Sequence, residues 1–297
     1  MSRRAVLLFV SLCVIWGIPY LLIRVAVREL SPAFLVFART GLAAVLLLPI
    51  AVRRRELRVL APHWRPILLF AAVEIAVPWL LLSRAEERLS SSLTGLMVAA
   101  VPLVGAVATA VAGSHDRLDR RSWSGLLIGL VGVLALVGLD FGSVGVGPLL
   151  EICVVVLGYT AGPMILSRRL SHLPPLGVIA AALTVTALVY APVAAFEPPQ
   201  HLHADVILSV IGLAVVCTAL AFLLFFALIA AVGPVRATVI TYVNPAVAAV
   251  LGVVVLNERF TLGMGVGFAL VLAGSVLATG PRGRAAPAGA VAEPVPG

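Results

Sequence analysis

The stretch PILLFAAVEIAVPWLLL (residues 66–82) is apolar from end to end except for Glu74 near its middle. A carboxyl group taken out of water favours its neutral form. Two chemistries fit such an acid. It can take up and release a proton, or grip a substrate amine and let go once protonated. Alternatively it stays protonated, hydrogen-bonded to a neighbouring helix. Pro78, four residues on and on the same helical face, frees a backbone carbonyl that could serve as that neighbour. Glu151, near the end of another apolar run, aligns at helical spacing with Val155, Gly158 and Gly162. It fits either an interfacial acid or a cavity wall, and close helix packing accounts for the glycines as well as a cavity does.

Other residues could support such chemistry. Arg39 lies inside a further apolar run, where an arginine either snorkels outward or pairs with an acid, here Glu74 or Glu29. Trp16 and Tyr20 are four apart and share one helical face. Thr238, Thr241, Tyr242 and Pro245 share another. Such faces offer a ligand aromatic contact and hydroxyl hydrogen bonds, although aromatics near the ends of runs, Trp79 among them, also serve as interfacial anchors. Pro78, Pro102 and Pro245 are expected to break or bend their helices. Cys13, Cys153 and Cys217 each stand alone and read as small hydrophobes. His201 and His203 form an H-x-H pair with no third ligand. No metal site and no cofactor are expected.

The elements that must position these residues follow from composition. The chain has 297 residues, 62% hydrophobic and 11% charged, against about 45–50% apolar and roughly 25% charged in soluble domains. Lipid is the solvent that accommodates so much apolar surface. The 21 basic residues are all arginine and bring the formal charge to +8. They cluster between apolar runs rather than in a basic, aromatic-studded domain, so the bilayer is the expected partner and nucleic acid is not.

Ten runs have the length of a membrane span: 5–23, 33–52, 66–84, 91–112, 123–140, 148–166, 176–196, 205–231, 236–256 and 262–280. None alternates apolar with polar as a barrel strand must, so the fold class is all-α integral membrane. The opening SRRAVLLFV faintly resembles a twin-arginine export signal. More membrane follows it, so 5–23 is read as the first span. Residues 281–297, rich in Pro, Gly and Ala, are expected to be a disordered cytoplasmic tail. Fifteen arginines fall on the side of both termini and five on the other, with Arg39 inside a span. The positive-inside rule therefore places both termini in the cytoplasm of a multi-pass cell-membrane protein.

The two halves align at an offset of 142–143 residues. RLSSSLTGLMVAAVPLVGAVATAV (88–111) matches 230–255 with Pro102 on Pro245. GLLIGLVGVLAL (125–136) matches GFALVLAGSVLA (267–278) with Gly125 on Gly267 and Gly132 on Gly274. Pro32 falls on Pro175. Five spans per half is an odd number, so the second half (148–280) is expected to enter the bilayer inverted relative to the first (5–140). Such 5+5 inverted repeats place a substrate site between the halves, near the midplane, and alternate its access by rocking.

Three blocks carry a family resemblance: WGIPYLLIRVA (16–26) before the span bearing Arg39, RLSSSLTGLMVAAVPLVGAV, and ATVITYVNPAVAAVLGVVVLNERFTLGMGVGFALVLAGSVLA (237–278) with Asn257 and Glu258 after Pro245. The chain resembles the EamA family of the drug/metabolite transporter superfamily over about residues 5–280. The resemblance implies ten helices in two inverted repeats. It also implies export or exchange of a small metabolite or drug, and a central cavity walled by helices 1, 3, 4, 6, 8 and 9. The sequence departs from this pattern at LGYTAGP (157–163), which lacks the tryptophan of WGIPY, and at GSHDRLDRR, which lacks the acidic NERF turn.

No G-x-x-x-x-G-K-[ST] loop is present, so ATP is not expected to drive transport directly. A proton or substrate gradient would do so, with a small molecule and protons as the soluble partners and the chain a monomer or homodimer. A channel and an intramembrane enzyme are the alternatives. For the enzyme, AEERLS (85–90) begins like E-E-x-x-x-R, but Ser91 stands where the arginine is needed. Neither H-E-x-x-H nor G-x-S-x-G occurs.

Overall fold

A computed structural model describes residues 2–111, 120–138, 145–233, 237 and 239–279. Thr238, most of the GSHDRLDRR segment and the 281–297 tail lie outside the described residues. The described residues are helical, with no strand among them. Hydrocarbon offers no partner for backbone N–H and C=O, so each apolar run must satisfy its own. We label the helices α1 (Arg3–Ala26), α2 (Pro32–Arg53), α3 (Glu56–Glu86), α4 (Ser91–Ala108), α5 (Arg120–Gly138), α6 (Val146–Leu170), α7 (Pro175–Phe196), α8 (Ala204–Val232), α9 (Ile240–Leu256) and α10 (Leu262–Thr279). By length and composition, eight helices among the described residues can cross a membrane, and α5 and α9 are not among them. Large apolar side chains such as Leu127, Leu134, Leu157 and Leu188 face outward, as a lipid-facing surface requires.

The third helix starts ten residues before the apolar run, with a 3₁₀ stretch at Glu56–His63. Its charged residues hid it from a reading based on hydropathy. Several helices are interrupted where the backbone loses a hydrogen bond. In α1 the ladder tightens at Trp16 and Gly17, whose N–H bonds Val14 O at 2.9 Å. A Cβ on Gly17 would lie 2.5 Å from Val247, so α1 crosses α9 there in close contact. The α4 span breaks after Val98 and resumes at Val101, just before Pro102. Ahead of Pro78, α3 widens into a π stretch at Ala71–Ala76, and α8 has one at Gly212–Leu220.

At Pro245 no break occurs: α9 runs from Ile240 to Leu256 with the proline inside it. The proline sits only five residues past the helix start, where the missing N–H removes one of the first bonds of the ladder and the rest remains intact.

The helices pack in pairs: α5 on α10, α2 on α7, α4 on α9, α3 on α6 and α1 on α8. The α5–α10 seam is made by glycines. A Cβ on Gly125 would lie 2.7 Å from Gly274 O, and one on Gly132 would lie 2.8 Å from Gly267 O. Interhelical contact this close needs small residues.

Candidate functional site

Five apolar helices each carry one or two polar or aromatic side chains to a common region. From α2, Arg39 is 6% exposed. Its guanidinium lies over the ring of Trp79 in α3, 3.7 Å from the centroid. Its Nε donates to Thr218 Oγ1 in α8 at 3.0 Å. Thr218 is itself fixed, donating to Leu213 O at 2.8 Å, five residues back, a spacing that the π stretch supplies. Tyr20 of α1, Tyr159 of α6, Cys217 of α8 and Glu86 at the end of α3 lie within electrostatic range of the guanidinium. Tyr159 also engages Trp79. Tyr20 and Trp79 are each 7% exposed.

A buried arginine is costly unless its charge is compensated. A cation–π contact contributes about 0.5–2 kcal/mol. A hydrogen bond to a charged group contributes about 1.5–3 kcal/mol. Both act here, and among the described residues no ion pair does. The expected partners are taken or distant. Glu29 lies against the imidazole of His203 and accepts its backbone N–H at 2.9 Å. Glu74 makes no ion pair among the described residues. Of the two alternatives open to Arg39 in the sequence, pairing with Glu74 or Glu29 is not seen among the described residues; the π face of Trp79 and the Thr218 hydroxyl hold the guanidinium instead.

Glu74 sits in the π stretch of α3 and turns toward α6. A Cβ on Gly162 would collide with its Oε2 and Cδ, and one on Gly158 would lie 2.6 Å from Pro78 Cγ and Val73 O. The Gly158–Gly162 face is thus a helix-packing surface against Glu74 and Pro78. Oε2 of Glu74 is buried without a partner. Glu151 of that helix forms an ion pair with Arg84 at 3.2 Å, both side chains partly exposed, and does not join the cluster. Trp16 packs on Phe225 and Phe222 of α8, with centroids 4.8 and 6.0 Å apart. Tyr242 bonds Thr279 Oγ1 of α10 at 2.9 Å. Thr241 is half-buried in α9.

Sequence reasoning missed three residues: Thr218, Tyr159 and Glu86. Glu86 is 0% exposed and neither carboxyl oxygen has a partner, while Arg24 donates to its backbone carbonyl instead. Beside it, Glu258 spans from the α9–α10 turn to α4 and accepts from Ser91 N (2.8 Å), Ser91 Oγ (3.0 Å), Ser92 N (2.9 Å) and Ser92 Oγ (2.6 Å). At the opposite end of the bundle, Glu56 accepts from Gly177 N at 2.8 Å, and the Nε2 atoms of His63 and His172 are 3.1 Å apart. Two recesses open at these ends, about 560 Å³ beside Glu29 and Glu197 and about 380 Å³ between Glu56 and Phe226. Neither is lined by Arg39 or Glu74.

A bundle of lipid-length helices around a buried polar cluster is the build of a multi-span membrane transport protein. The chain belongs to the EamA-like transporter family, whose model matches residues 3–138 and again 148–280. It is 29% identical over 253 residues to the uncharacterized inner membrane transporter YedA of Escherichia coli K12, covering 82% of this chain and 79% of that protein. The YedA proteins of E. coli O6:H1 and O157:H7 match equally. A crystal structure of a protein 22% identical in sequence superposes with a TM-score of 0.66, covering 94% of this chain and 97% of that one. It shares the fold.

Proposed function

We propose that the chain is a secondary transporter that moves a small metabolite or drug across the cell membrane, as an exporter or exchanger, by alternating access. It acts as a carrier rather than an enzyme and needs no cofactor. The observation that carries this reading is the Arg39–Trp79–Thr218 cluster, a charged centre walled by α2, α3 and α8 with Tyr20 and Tyr159 beside it. Charged groups inside spans usually mark a substrate or ion path.

The architecture we propose is ten spans in two inverted five-helix repeats. Several features support it. The pairs α5–α10, α2–α7 and α4–α9 each join a helix to the one five further on, and α3–α6 and α8–α1 exchange under the same shift. The glycine seam crosses over in the same sense, Gly125 meeting Gly274 and Gly132 meeting Gly267. Two of the three π stretches fall in α3 and α8, again five apart, and the third ends α6. The family model also matches twice. Both termini are then cytoplasmic, and the Glu258–Ser92 contact closes the outer end.

Glu74 is the proposed proton-coupling acid, since its buried oxygen has no partner that would hold it in one state. Reconstituted protein should show saturable, gradient-dependent flux of a metabolite identified by comparing cells with and without the gene. Flux rising linearly with concentration would instead indicate a channel. Wild-type rates and pH profile in Glu74→Gln would reject the coupling role.

A further inference from the structure

A buried cation needs a counter-charge or a full set of acceptors. Among the described residues Arg39 has neither. Its Nε is used by Thr218 and its face by Trp79. The two terminal nitrogens, with four N–H donors, find no hydrogen-bond partner among the described residues. Nor does any described carboxylate lie within 4.0 Å. The acids that form ion pairs, Glu29, Glu56 and Glu151, are held by His203, Arg54 and Arg84. Glu258 is committed to Ser91 and Ser92. Glu86 acts on Arg39 only through space, and neither of its oxygens makes a hydrogen bond.

The guanidinium is nonetheless held in place. Trp79 fixes its plane and Thr218 fixes one edge, leaving the terminal edge as a planar fork of donors. That fork matches a carboxylate or a phosphate in two parallel hydrogen bonds. We propose that Arg39 is a substrate-binding residue, and that the transported molecule carries a carboxylate or phosphate group which supplies the missing counter-charge at this edge. The proposal deepens the transport reading, on which it rests, by naming the chemistry of the cargo.

Equilibrium binding tests it without a known substrate. Purified full-length protein in lipid nanodiscs is titrated with sodium benzoate, inorganic phosphate and benzylammonium chloride at matched ionic strength, following thermal midpoint and tryptophan emission. One or both anions should raise the wild-type midpoint and change the emission, benzoate pointing to carboxylates and phosphate to phosphate esters. Benzylammonium should do neither. Arg39→Met should raise the half-saturating anion concentration by more than about tenfold, the equivalent of one lost charge-assisted hydrogen bond. Without ligand it should melt at or above the wild-type temperature, because it removes an uncompensated charge. Trp79→Phe should silence the emission change. If Arg39→Met does not fold, Arg39→Lys and Thr218→Val replace it, and both should weaken the anion response. No response of wild type to either anion overturns the proposal, as does an equal response in the Arg39 variant. Measured flux without anion binding would leave the transporter reading standing and remove this one.

Discussion

Glu258 caps a helix that lies 166 positions earlier in the chain: its Oε2 accepts both the N–H of Ser92, at 2.9 Å, and the Ser92 hydroxyl, at 2.6 Å. The first N–H groups of a helix have no partner of their own, and a negative charge there is favoured by the helix dipole. Ser90 takes the Leu93 N–H, and Glu258 takes those of Ser91 and Ser92. Glu258→Gln leaves a single acceptor oxygen for four donors. It should cost roughly 1.5–3 kcal/mol, the worth of one hydrogen bond to a charged group, read as a lower thermal midpoint in detergent. Gly252→Ala should lower it too, because the added methyl would run into Ser92 Oγ and Glu258 Oε2, the two ends of the short capping bond.

The glycine seam between α5 and α10 gives a second expectation. A methyl on Gly132 would stand 2.6 Å from Val271 N and 2.8 Å from Gly267 O, both backbone atoms that cannot turn aside. Gly132→Ala should therefore destabilise by about 1–3 kcal/mol, the usual cost of overpacking. Gly41→Ala is the control. Its nearest neighbour would be the Ala187 Cβ at 3.9 Å, and the gain in helix propensity of up to about 1 kcal/mol should leave it as stable as wild type or more so.

Glu86 carries two orphaned oxygens in a fully buried place. Replacing it by methionine, of similar length and no polarity, should raise stability by about 1–3 kcal/mol, the penalty of an unsatisfied buried group. A fall in thermal midpoint would show that the carboxyl has a partner it needs.

Glu29 in the α1–α2 turn should show a distinct pH signature. The backbone N–H of His203, followed by its imidazole, holds the Glu29 carboxyl below the usual carboxylate range. A lowered value means the contribution is complete above the ordinary carboxylate pKa and disappears as pH falls through the lowered one. Wild type should therefore exceed Glu29→Gln in thermal midpoint at neutral pH, with the gap closing only below about pH 4. A gap that stays open well below that pH would count against a role for the Glu29 charge.

Span order and membrane class were legible because hydropathy and length are local properties. The runs 33–52, 176–196 and 262–280 became Pro32–Arg53, Pro175–Phe196 and Leu262–Thr279 almost unchanged. The site was legible only in part. Arg39 and Glu74 stood out because charge inside an apolar run is expensive, and Trp79 because it is aromatic. Thr218 was invisible, since a threonine in such a run usually bonds its own helix, and only the approach of α2 gives it a second role. Tyr159 lay in a stretch noticed for what it lacked. The hydrogen bond from Tyr242 to Thr279 of α10 could not be read from the shared face with Thr238 and Thr241. Which face each helix turns inward is set by partners far away in the chain, and one sequence does not display that.

The widened turns in α3 and α8 have a consequence for movement. Each holds one residue more than an α-helix would use over the same rise, and such slack can travel along the axis without unfolding the span. Moving it by one position would swivel the intervening side chains by about 100°, the angle each residue subtends. Thr218 and Glu74 ride on these segments. A one-position shift of that slack would therefore reorient both, whereas α5 and α10, joined along their glycines, contain no such turn.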